Sequence, residues 1–345
     1  MRQPQECIRL FSGQILPQGG TYPIRTEFPV GGEIYNTIRL VFHNTVAAGG
    51  TDPVNPVVRG GFNIVRNILF RSARGEEFII CPGMGLLYHN WMVNGVEPLY
   101  DNIAAPGIDT TGVYTTIIDL PFSSKFLARR EDLAVHTARY SHVELDLSIG
   151  SIADLYTTPG ATATNVTTLD VVLFRNKSGF YESGEPMAAP YLKHYPQYQI
   201  TRGYLDVESA RDLTMLGFMA FVQDMDAANC YVPVHGVPYS GVPQDSVDWF
   251  TFRDNKAYYI IEKPLASFRE ERGQYGTIDH ADIAEGIGVY PYFFAREGSV
   301  YNGYWTGGKS EIRLENDPIS LDPSGSEVLD PDIDTVFFGL RTLKE

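Results

Sequence analysis

Apolar and polar residues alternate along this chain in short runs, and the pattern occurs in both halves. A period of two marks a strand with one face buried and the other wet, because successive side chains point to opposite faces of a sheet. Between Thr37 and His43, the residues Ile38, Leu40 and Phe42 share one face while Thr37, Arg39 and His43 take the other. Val143, Leu145 and Leu147 alternate in the same way with His142, Glu144 and Asp146. Further first-half strands are predicted over 21–30, 62–71, 77–81, 113–122 and 167–175, and second-half strands over 197–205, 213–223, 247–252, 288–295, 310–314 and 334–341. The chain therefore reads as all-β, built from half-buried antiparallel strands packed as sandwiches. In 215–221 both faces are apolar, which predicts a strand covered on both sides, on one of them by the other half of the chain.

At 345 residues the chain exceeds the usual span of one domain and favours two modules. The breaker-rich segment 176–190 reads as the linker. This gives an amino-terminal arm over 1–20, a first module over 21–180 and a second over 181–345. Helical signals are short: 125–135 after the N-cap candidates Ser123 and Ser124, 265–272 after Pro264, and 277–283. The stretches 46–61, 95–112 and 229–245 lack periodicity, and loops of that length usually carry contacts.

A formal charge of −15 argues against wrapping nucleic acid, which needs clustered Lys and Arg. No run approaches the roughly 20 apolar residues that cross a bilayer, and Met1 to Glu6 lacks the apolar core of a secretory signal, so synthesis in the cytoplasm is expected. Cys7, Cys81 and Cys230 are far apart and form no C-x-x-C pattern. They predict neither a disulfide framework nor a zinc site, and read as buried free thiols.

Residue chemistry points away from catalysis. His43, His89, His136, His142, His194, His235 and His280 include no pair at i+2 or i+4, so the H-x-H element of a metal-binding β-barrel is missing. Asp330-Pro-Asp-Ile-Asp334 opens like a calcium loop, but Thr335 and Arg341 stand where Gly and Glu belong, which leaves a solvated acidic turn; Asp224 and Asp226 are weaker still. Aromatic residues and carboxylates are plentiful, yet no Glu or Asp is marked out as a glycosidase acid or base. No nucleophile elbow, P-loop, H-E-x-x-H or dinucleotide fingerprint occurs. Asn165-Val-Thr167 fits a glycosylation acceptor, a triplet that also arises by chance. Catalytic, cofactor-binding and metal-ligating residues are accordingly assigned as none, with no cofactor expected.

Taken in order, several segments resemble the double jelly-roll major capsid proteins of icosahedral, membrane-containing viruses, the lineage of tectiviruses and adenoviruses. These are Gly61-Phe-Asn-Ile-Val-Arg-Asn-Ile-Leu-Phe70, Gly85-Leu-Leu-Tyr-His-Asn90 and Ile118-Asp-Leu-Pro-Phe122 leading into the strand at Val143 to Leu147. In the second half they are Gly288-Val-Tyr-Pro-Tyr-Phe-Phe294, then Tyr301, Tyr304 and Glu311-Ile-Arg-Leu314. The resemblance implies two tandem eight-stranded jelly rolls with short helical inserts. It also implies a non-enzymatic virion protein whose trimers present six lobes and tile a shell over an internal lipid membrane. Penton or vertex proteins and minor capsid proteins are the implied partners, and the short loops suggest a bacteriophage-like form. On this reading the 229–245 loop, stiffened by Pro233, Pro238 and Pro243, makes trimer contacts. A basic membrane-reaching arm is missing, since only Arg2 and Arg9 are basic near the start. The competing readings are a carbohydrate-binding or glycan-processing pair of β-sandwiches, for which three Trp are few, and a viral spike or vertex protein.

Overall fold

In the computed structural model the described residues are 6–24, 28–57, 59–73, 75–96, 99–104, 106–107, 110–122, 134–177, 188–195, 204–207, 213–223, 247–254, 258–264, 289–294, 303–306, 312–318 and 332–342. The first half supplies strands β1 (Glu6–Leu16), β2 (Thr21–Ile24), β3 (Glu33–Ala47) and β4 (Val54–Pro56), then helix α1 (Gly60–Asn63), β5 (Val65–Ser72) and β6 (Glu77–Cys81). Helix α2 (Gly83–Tyr88) follows and runs into a wide helical turn over His89–Val93. After it come β7 (Thr111–Pro121), β8 (Val135–His136), β9 (Val143–Ile149), β10 (Tyr156–Thr158) and β11 (Thr164–Lys177). The second half supplies β12 (Ala188–Tyr195), β13 (Tyr204–Val207), β14 (Leu213–Gln223), β15 (Val247–Asp254) and β16 (Tyr258–Pro264). It closes with β17 (Val289–Phe293), β18 (Tyr304–Trp305), β19 (Ile312–Pro318) and β20 (Asp332–Thr342).

The strands pair in the same order in both halves. The first half forms β1-β11-β3-β7 and β2-β9-β5-β6; the second forms β12-β20-β14-β17 and β13-β19-β15-β16. Each set of eight is a jelly roll. Alternation decides which side of each strand faces inward: in β9, Val143, Leu145, Leu147 and Ile149 are buried and the residues between them are not. The first core packs Ile38, Leu40 and Phe42 of β3 and Leu169, Val171 and Leu173 of β11 against Ile68, Phe70, Leu145 and Leu147 of the facing sheet. A separate second core joins Met215, Phe218 and Phe337 to Phe252, Ile312 and Leu314.

The repeat extends to individual irregularities. In β11 against β3 the register jumps between Phe174 and Arg175, opposite Thr37 and Tyr35. In β20 against β14 the same jump falls opposite Gly217 and Met215, with Phe338 and Gly339 as the partners. The hairpins agree too: Phe70 faces Ile79 and Phe252 faces Ile261, each followed by a bulge before the next Arg. Bulges fix register, so these equivalences hold residue by residue.

The two jelly rolls share a sheet. Strand β12 lies parallel to β6, with Leu192 opposite Ile79 and Lys193 opposite Ile80, which makes one nine-stranded sheet from both halves. The far face of β14 and β20 is then covered by the first half: Leu216, Met219, Val336 and Phe338 belong to the first core, and the His89 ring meets Phe338 edge-on at 5.3 Å. Strand β14 is thus covered on both faces, as its sequence predicts. Gly85 permits the close seat of α2, because a Cβ there would fall 2.6 Å from Cys81 Sγ and 3.2 Å from Val336.

Several expectations change. Residues 6–16, read as part of an arm, form β1 along β11. The strand expected over 62–71 starts only at Val65, because Gly60 and Gly61 let the backbone turn into α1; a Cβ on Gly61 would collide with Thr116. The strand expected over 21–30 stops at Ile24, although Phe28 still fills the core beside Phe70. Val135, the last residue of the first helix candidate, sits in β8 against β3; the rest of that candidate up to 133 lies outside the described residues. The 95–112 stretch is not merely loop, since Tyr100 bridges to Thr116 at the β7 edge. The linker is shorter than predicted, as β11 reaches Lys177 and β12 begins at Ala188. Helix candidates 265–272 and 277–283, loop 229–245 and strand residues 197–203 lie outside the described residues.

Candidate functional site

The residues singled out for chemistry do not converge. His43 sits on the outer face of β3, with Nε2 3.9 Å from Asp170. His142 meets Glu144 at 3.2 Å, while His89 and His136 are buried and His194 lies in β12. His235, His280, Cys230, Asp224, Asp226 and Asp330 lie outside the described residues, and Asp332 and Asp334 belong to β20 rather than to a turn before it. Among the described residues no three His, Cys, Asp or Glu side chains group so as to hold a metal ion, and no helix is long and apolar enough to cross a membrane. Cys81 is buried as expected, but Cys7 is exposed, on a strand that ends its sheet among the described residues.

The glycosylation triplet is spent on packing. Asn165 and Thr167 are buried, Thr167 Oγ1 donates to Asn44 Oδ1 at 2.8 Å, and Asn165 Nδ2 donates to Thr167 Oγ1 at 3.0 Å. Gln18 Nε2 donates to the Asn165 carbonyl and ties the β1–β2 turn to β11. A buried polar cluster of this kind holds strands in register.

A cavity of about 40 Å³ opens beside β7, lined by Arg39, Phe62, Leu87, Asn90, Leu99 and Asp119 among others. That is room for a water or two, not for a sugar. Its one charged pair is internally neutralised: Arg39 donates to Asp119 through Nε at 2.7 Å and Nη2 at 2.8 Å.

What the geometry does offer is edges and faces. Among the described residues β1 ends its sheet, and it is pinned through its bulge, where Asp170 Oδ1 accepts from the Gly13 amide at 2.6 Å and the Ser12 hydroxyl at 2.9 Å. Burial pushes the Asp170 carboxyl up, but those two donors, with His43 and Arg9 nearby, outweigh it and hold the group below the usual carboxylate range. Gly13 takes φ +69, which suits a residue without Cβ at a bulge. Arg175 fixes the far end by pairing with Glu33 at 2.9 Å and Glu6 at 3.2 Å. At the other end of the outer face, Ile15, Val113 and Val166 are 62%, 60% and 45% exposed, branched apolar side chains left in water on three strands. In the second half β16 ends its sheet, with β15 as its one neighbour among the described residues.

Sequence reasoning missed this arrangement. The signal was present as the paired strings Ile68-Leu69-Phe70-Arg71-Ser72 and Phe250-Thr251-Phe252-Arg253-Asp254, each followed by a strand with a proline at or just past its end, Pro264 in β16 and Pro82 after β6.

No family model matches the sequence, and no curated protein matches it. Solved structures do. The major capsid protein of STIV, the Sulfolobus turreted icosahedral virus, is similar with a TM-score of 0.68 and 11% identity, over 99% of this chain and 97% of its own. The major capsid protein of bacteriophage PM2 has a TM-score of 0.60 and 12% identity, over 99% of both chains. The capsid of the virus PBCV-1 gives 0.61 and 9%, over 98% of this chain and 93% of that one. At these identities the similarity establishes the fold, a double jelly roll from end to end.

Proposed function

We propose that this chain is a major capsid protein, a structural subunit whose homotrimers form pseudo-hexagonal capsomers and tile an icosahedral shell. The observation that carries the proposal is the whole-length agreement with capsid proteins. The physics is consistent with it. Two upright jelly rolls fused through one sheet give a two-lobed body, and three such bodies around a closed axis give six similar sides. A lattice position with six neighbours is then filled by three chains.

The role is mechanical and non-enzymatic, with no cofactor. Shell cohesion comes from many modest contacts: a trimer seam of about 2,000 Å² or more, then smaller polar contacts between trimers that add up over a closed surface. The expected partners are further copies, vertex and minor capsid proteins and an internal membrane. The negative charge makes direct genome binding unfavourable. On this reading the first jelly roll runs from β1 to β11 and the second from β12 to β20, and the site of action is the virion after synthesis in the host cytoplasm.

Light scattering on the purified chain during size exclusion tests the proposal. A mass of three chains is expected. A monomer that binds sugars on a glycan array would refute it in favour of a carbohydrate-binding pair of sandwiches.

A further inference from the structure

We infer that the seam between neighbouring copies is a strand pairing, in which β1 of one chain adds in parallel to β16 of the next. The inference rests on the self-assembly reading above and names the surfaces that carry it. Within one chain the two jelly rolls already join in this way: β6, the end of one four-stranded set, takes β12, the end of the other jelly roll's set, as a parallel neighbour. The repeat makes β16 the counterpart of β6 and β1 the counterpart of β12. Both counterparts are terminal strands among the described residues, and they carry the same two halves of the joint. Unpaired edge amides and carbonyls are a template for another strand, and supplying one from an identical chain in a head-to-tail sense closes a ring when the rotation permits.

The bulges give the register. Phe338 corresponds to Phe174, and their neighbours across the sheet are Leu192 and Cys7. Ile79 corresponds to Ile261, since each faces the matching Phe on the preceding strand. The observed pair of Leu192 and Ile79 therefore becomes Cys7 opposite Ile261 across the seam, and that of Lys193 and Ile80 becomes Ile8 opposite Glu262. This assigns a place to Cys7, an exposed thiol that the fold itself does not use.

Cysteine cross-linking on the full chain tests it. Strands pair about 4.8 Å apart, inside the Cα range that a disulfide spans. The Ile261→Cys variant, keeping native Cys7 and treated with copper phenanthroline, is expected to run mostly as covalent dimers and trimers on a non-reducing gel. Adding Cys7→Ser should abolish them. In parallel, hydrogen exchange on the unmodified trimer is expected to show β1 and β16 amides slower than those of β13, the opposite end of β16's sheet. If Ile261→Cys does not fold, the exchange result decides. A trimer with no Cys7-dependent cross-link, or with fast exchange through both strands, overturns the seam and leaves the trimer standing. A monomeric unmodified chain overturns the function as well.

Discussion

Two equivalent faces of this molecule meet different fates. The outer side of β14 and β20 is covered by α2 and the turn after it, so Phe338 is 3% exposed and packed against His89. The matching side of β3 and β11 faces solvent in the isolated chain: Phe174, the counterpart of Phe338, is half-buried beneath the Arg39 guanidinium at 5.5 Å, and Arg39 is neutralised by Asp119. The strand order is the same and the bulge is the same. What differs is the cover, and the side chains around the two phenylalanines follow it: apolar packing at Phe338, where a neighbour is built into the chain, and a charged pair over Phe174, where it is not. A jelly roll with a permanent neighbour can bury a dry face, whereas one that meets its neighbour only on assembly must stay soluble beforehand.

The sharpest test of this contrast is to truncate the two phenylalanines. Phe338→Ala should cost about 3–5 kcal/mol, because a filled core site is emptied, while Phe174→Ala should cost the isolated chain no more than about 1.5 kcal/mol. Urea titrations of dissociated protein read both, and equal losses would break the comparison. The next largest effect belongs to Gly217→Ala. A Cβ there would lie 2.2 Å from the Tyr292 carbonyl and 2.5 Å from the Phe338 ring, and the equivalent position in the first half is Thr37. A loss of about 1–3 kcal/mol is expected from overpacking, with Thr37→Ala near neutral in the same thermal melts.

Smaller still is the anchor of β1. Asp170→Asn should cost about 1–2 kcal/mol at neutral pH, since two donors lose an ionised acceptor. The folded carboxyl titrates below its unfolded value, so its contribution is complete above the unfolded value and is lost as pH falls through the folded one. Melting temperatures of native and Asp170→Asn protein should converge in acid, and a gap that persists there would contradict the assignment. The smallest change is Arg39→Lys, which keeps the charge but loses the bidentate contact. It should move stability by less than about 1 kcal/mol, measured by the same urea titration, because the pair is partly exposed.

The sequence disclosed the strands better than the joints. Alternation located β3 and β9 to within a few residues, because burial on one face writes itself every second position, while the unbroken apolar run of β14 marked a strand covered on both faces. Strand β1 was hidden: an edge strand with Arg9, Ser12, Gly13 and Gln14 on a wet, bulged path carries little periodicity. The start of β5 was misplaced because Gly60 and Gly61 fit both a turn and a helix, and only the approach of Thr116 decides between them. The Asn165 triplet matches the acceptor pattern only as chance triplets do, since such a pattern carries no information on burial, which here involves Asn44 more than a hundred residues away. The joint of β6 with β12 is a pairing between modules, and no local pattern announces it.

Electron microscopy of the purified chain tests the central claim, that two matched jelly rolls per chain assemble into six-sided units. Class averages are predicted to show rings of six similar lobes with threefold symmetry. Isolated two-lobed particles at every concentration, or rings with another number of chains, would contradict it.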